Sequence, residues 1–115
     1  MLVFSGCKGK PEDQRLLEIA EKVSDSPKEM LERLDSIDVS SMKESDRYFH
    51  ALLSIKAKDK AYIQHTSDSV ILKVIDYYSG HKGSGLYPEA LYYGGRVYSD
   101  IGDAPTALRY FQDAL

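Results

Sequence analysis

Apolar residues recur along this chain at helical spacing six times over, and each run is bounded by capping or helix-breaking residues. That recurrence restricts the fold more than any other feature, because a sheet needs period two and a helix face needs period 3.6. Pro11-Glu12-Asp13 opens the first run, in which Leu16, Ala20 and Val23 share a face with Leu17 beside them. Ser24-Asp25-Ser26 breaks it. Ser26-Pro27-Lys28-Glu29 starts the second, with Ser26 as cap, Pro27 in the first turn and Glu29 completing a capping box. Met30, Leu31, Leu34 and Ile37 follow, and the helix should end near Ser36 to Asp38. A third starts near Ser45 or Asp46 and carries Tyr48, Ala51, Leu52 and Ile55, flanked by Phe49 and Leu53.

The polar run Gln64 to Asp68 stops that helix, and Val70, Ile71, Val74, Ile75 and Tyr78 resume the helical period. Their β-branched side chains also suit a strand, but the grouping in adjacent pairs four apart and the preceding Ser/Asp cap favour helix. Gly80 to Gly85 is a loop. Pro88-Glu89 begins a fifth helix with Leu91, Tyr92, Gly95 and Tyr98, closed by Gly102. Asp103-Ala104-Pro105 opens a sixth, with Ala107, Leu108, Phe111, Ala114 and Leu115 on its apolar face. The expectation is an all-α chain of six helices in three antiparallel pairs.

The segment from Pro88 to Leu115 resembles a tetratricopeptide repeat, a helix pair of about 34 residues with small and aromatic residues at fixed places. Gly95 precedes Tyr98 by three; Ala107, Phe111 and Ala114 follow at the family's spacings. Leu91 stands where the family most often has Trp, and Gly94 where it has Leu. The earlier pairs match loosely, with Ala51 or Leu53 as crossing residue and Tyr77 or Tyr78 as the second aromatic. The resemblance implies an α–α superhelix of about three pairs over residues 11–115. It also implies a non-enzymatic scaffold for a protein or peptide ligand, whose groove Tyr92, Arg96 and Ser99 would face. Ending on the uncapped stripe Ala114-Leu115, the sequence suggests a continuation and an apolar face able to self-associate.

Residues 1–7 carry a second resemblance. Four apolar residues lead into Ser5-Gly6-Cys7, which is similar to the lipobox of a bacterial lipoprotein signal peptide. Cys7 would then be the lipidated residue and the membrane the second partner, placing the protein in the cell envelope. The apolar stretch is shorter than a usual signal core, and without that reading the protein is cytoplasmic. Lipobox and helix pairs together resemble repeat lipoproteins or sensor-regulators of the Bacteroidetes. The alternative role is therefore the input region of a membrane-bound regulator.

The chemistry-bearing residues point to no catalysis. One cysteine excludes an internal disulfide and a thiolate zinc site. His50, His65 and His81 sit in separate segments, without a partner at a recognisable metal spacing. Gly80 to Gly85 lacks the Gly-Lys-Ser/Thr ending of a phosphate loop. A net charge of -3 gives nucleic acid no basic surface, and no cofactor motif is present.

Overall fold

The computed structural model describes residues 9–115; Cys7 and its lipidation lie outside the described residues. Six α-helices follow one another: α1 Gln14–Lys22, α2 Pro27–Asp35, α3 Glu44–Lys60, α4 Ser69–Ser79, α5 Tyr87–Ile101 and α6 Ala104–Asp113. The described residues form no strand, and the β-branched run in α4 is helical, as its spacing predicts. None of the helices is long and apolar enough to cross a membrane.

Local chemistry sets the helix ends, in three places differently from the sequence expectation. Helix α1 starts after Asp13, not at Pro11, because the Asp13 carboxylate accepts from the Arg15 and Leu16 amides. Ser26 precedes Pro27 as expected, yet its hydroxyl makes no capping bond. Asp68 precedes α4 and likewise leaves the amides alone; its carboxylate accepts from the Tyr98 hydroxyl at 2.7 Å. A tertiary partner has outbid the local one.

Helices α3 and α5 share one termination geometry. Gly102 lies at φ 98, with its amide on the Ser99 carbonyl and the next amide, of Asp103, on the Tyr98 carbonyl. This is the Schellman pattern, in which a left-handed residue satisfies the last carbonyls. The same two bonds close α3, from Tyr62 to Asp59 and from Ile63 to Lys58. Here the left-handed residue is Tyr62 at φ 62, not a glycine.

Each helix packs on its neighbours in sequence, the contact of α5 with α6 being the most extensive. Helix α1 also touches α3, and α3 touches α5; no comparable contact joins α2 to α4 or α4 to α6 among the described residues. The stack measures 49 × 30 × 24 Å. Helix α3 is its dividing wall. Phe49, Leu53 and Ala57 close one core with Leu16, Ile19, Met30 and Leu34. Leu52 and Ile55, on the adjoining face, close a second with Ile71, Val74, Tyr78, Leu91 and Val97. A helix buried on two faces carries apolar residues around much of its circumference, as the sequence of α3 does.

Adjacent glycines let α5 approach two neighbours at once. A Cβ on Gly94 would lie 2.7 Å from Ile75 Cδ1 of α4, whereas one on Gly95 would lie 2.5 Å from the Phe111 ring of α6. Successive helical positions point about 100° apart, so each glycine admits a different helix. Gly94, where the repeat pattern expects Leu, is thus occupied by the close passage of α4. Ala107 is buried, and Ala114 packs partly buried against the second core. Tyr98 stacks on Tyr110 at 5.6 Å between centroids. Leu108 on α6 stays 56% exposed, and Leu115, beyond the end of α6, is fully exposed. Val70, expected in the α4 stripe, is also exposed, and Tyr77 is buried in its stead.

Candidate functional site

The C-terminal turn of α3 projects carboxylate and ammonium groups towards α5, and Asp59 is the centre of what forms there. Both of its oxygens accept from Arg96 Nε, at 3.1 and 3.3 Å. His65 Nε2 lies 3.2 Å from Asp59 Oδ1; since a carboxylate only accepts, that nitrogen bears the hydrogen. Asp100, one turn beyond Arg96, accepts from Arg96 Nη2 at 3.3 Å and from the His65 amide at 3.0 Å. The Gln64 side chain donates to the Asp100 carbonyl. Four side chains from α3, α5 and the intervening connection thereby hold one another, with His65 buried among them.

Ligand atoms of Asp59, His65 and Asp100 fall within 4.8 Å of one another, a grouping that can receive a cation. In this arrangement the Arg96 guanidinium already provides the positive charge, bonded to both carboxylates. A metal ion would have to displace it. The geometry serves to lock the α3–α4 connection onto α5 and leaves neither carboxylate free for acid–base work.

Beside this lock runs a groove of ≈ 700 Å³, bounded by the end of α3, the start of α5 and the end of α6. Tyr92, 44% exposed, stands in it, edge-on to buried Tyr93 and tilted against Phe111 at 5.6 Å. Lys56 and Glu89 pair across the groove wall at 2.9 Å, while Lys60 on the rim makes no ion pair among the described residues. A smaller depression, lined by Asp59, Arg96 and Tyr62, adjoins it at Asp59. Tyr62 is 96% exposed at its lip. A left-handed conformation costs a non-glycine residue roughly 1–2 kcal/mol. A fully exposed tyrosine gains nothing from burial to offset that.

The residues expected to face a groove therefore divide. Tyr92 stands in it. Arg96 lines the adjoining depression, but its guanidinium is committed to Asp59 and Asp100. Ser99 is exposed on α5, and its carbonyl accepts the terminating bond from Gly102. Phe111, expected as packing around the α5–α6 crossing, also forms part of the groove wall. The histidines separate as well. His50 Nε2 lies 2.8 Å from the Leu34 carbonyl and ties α3 to α2. His81 bonds the Tyr77 carbonyl at 2.7 Å and stacks on the Tyr77 ring. Gly80 to Gly85 folds as a turn around a short 3₁₀ segment at Lys82–Ser84.

His65 escaped sequence reading as a site residue, because its partners lie six and thirty-five positions away and share no motif. No family model, curated protein or solved structure matches the chain.

Proposed function

We propose that the chain is a non-enzymatic helical-repeat scaffold that binds a protein or peptide segment along the groove beside Tyr92. The observation that carries this reading is the groove itself: an open trough holding a half-exposed aromatic, with Lys56 and Glu89 paired on its wall and Lys60 left unpaired on its rim among the described residues. An amphipathic side chain with two rotatable bonds is well suited to anchoring a partner, and such anchors dominate interface energies. Contacts of α1 with α3 and of α3 with α5 support a repeat arrangement, since one helix of each pair then lines a common face. The Gly95–Phe111 approach supports it too, being the small-against-aromatic packing that the tetratricopeptide resemblance implies.

Tyr62 adds a further argument. A glycine would close α3 more comfortably, so a strained and solvated tyrosine at the lip has its use outside the fold. Asp59 and Asp100, bound to Arg96, favour a recognition surface over a catalytic one.

The test is affinity for peptides selected from a random library on the immobilised protein. Tyr92→Ala should weaken a selected peptide about tenfold or more, as loss of an anchor does, with the melting temperature unchanged. Equal affinity in the variant would remove Tyr92 from the site. Arg96 is a poor probe, because deleting it strands two carboxylates.

A further inference from the structure

A second cleft lies on the other side of the α3–α4 connection, between that connection, α3 and α4, and has a volume of ≈ 400 Å³. We propose that it binds a small aliphatic carboxylate. This rests on the cleft's own lining and is independent of the peptide groove.

Its size falls within the range of small-molecule sites. Its floor is aliphatic: Ile55, Ile71 and Val97, all buried, close it from beneath. The one ring in its lining, the His65 imidazole, is buried and bonded to Asp59, and aliphatic Ala51, Ile63 and Val70 join the floor residues around the rest, so an alkyl chain is the complementary shape. Its rim is polar. Lys58 is the one side chain of fixed charge in the lining, and neither Asp nor Glu is present. The ammonium of Lys58 forms no ion pair among the described residues, since neighbouring Asp59 is held by Arg96. Thr66 and Ser69 place hydroxyls on the same rim. One cation, hydroxyl donors and no carboxylate select an anion. The lock formed by His65, Asp59, Arg96 and Asp100 keeps the connection standing over the cleft, so the site exists before the ligand arrives.

The experiment is a titration of the isotope-labelled chain with sodium hexanoate, followed by amide chemical shifts, with hexylammonium chloride at equal ionic strength as the control. Hexanoate should move the amides of Ser69, Ile71 and Val97 to saturation, and hexylammonium should not. Lys58→Gln, at an exposed position, should weaken hexanoate about tenfold. Ala51→Leu, which extends a side chain into the lining, should abolish saturation; should that variant not fold, the Lys58→Gln comparison decides alone. Shifts that do not saturate, an equal response to hexylammonium, or undiminished affinity in Lys58→Gln would overturn the proposal.

Discussion

Gly95 and Phe111 meet so closely that a Cβ on the glycine would lie 2.5 Å from two ring carbons of the phenylalanine. Replacing Gly95 by Ala sets two effects against each other. Helix propensity gains about 1 kcal/mol, while overpacking costs about 1–3 kcal/mol. Three Phe111 ring atoms would lie under 3 Å from the new methyl, so relief requires the whole ring to shift within the α5–α6 contact. Gly95→Ala should therefore destabilise the fold by about 1–2 kcal/mol in urea unfolding, and Phe111→Leu in the same chain should recover most of the loss. Gly94→Ala is the control. Its new methyl meets the movable end of Ile75, and stability should stay within about 0.5 kcal/mol of wild type.

Asp59 joins α3 to α5 through Arg96 and to the connection through His65. Asp59→Ala leaves a guanidinium and a buried imidazole short of an acceptor. An unsatisfied group of this kind costs about 1–3 kcal/mol, with the lower half of that range expected because Arg96 is partly solvated. Hydrogen exchange should quicken first at His65, whose amide bond to Asp100 depends on the same lock. A loss spread evenly over all six helices would contradict a local role.

Tyr62→Gly should separate stability from binding. Glycine removes the left-handed strain but adds backbone entropy to the unfolded chain, leaving a net gain of about 0.5–1 kcal/mol. Peptide affinity should fall in the same variant. A variant less stable than wild type would show that Tyr62 supports the fold.

Burial, and after it the bond to Asp68, pushes the Tyr98 phenol up to about 12. Burial likewise raises Tyr77, Tyr78 and Tyr93. An unfolded tyrosine ionises near pH ~10. Below that value both states are neutral and the stabilising contribution is complete. Between about 10 and 12 the unfolded chain loses its proton first, so stability falls as pH rises. Thermal unfolding measured across this window should show the decline, and Tyr98→Phe should make it shallower. An identical slope in the variant would dissociate Tyr98 from alkaline unfolding.

The sequence carried the six helices well because each has its own stripe and its own break. Gly102 was readable as a helix end, since the left-handed position suits glycine. Tyr62, at the equivalent position of α3, was not, because nothing in a tyrosine announces that conformation. Asp68 read as a cap by its local setting, but the chain places Tyr98 within reach and the carboxylate serves that hydroxyl. Asp59, His65 and Asp100 come together only after three elements have packed. Spacing and resemblance pick out Tyr92, which lines a surface groove, whereas the commitment of Arg96 to two carboxylates depends on tertiary neighbours.

In the function proposed above, partners bind beside Tyr92 on the face built from α3, α5 and the end of α6. The most direct measurement is amide chemical-shift mapping of a library-selected peptide on the isotope-labelled chain. Saturable shifts should concentrate at Lys60, Glu89, Tyr92 and Phe111. Shifts concentrated instead at Leu72, Lys73 and Asp76, exposed on α4, would contradict it.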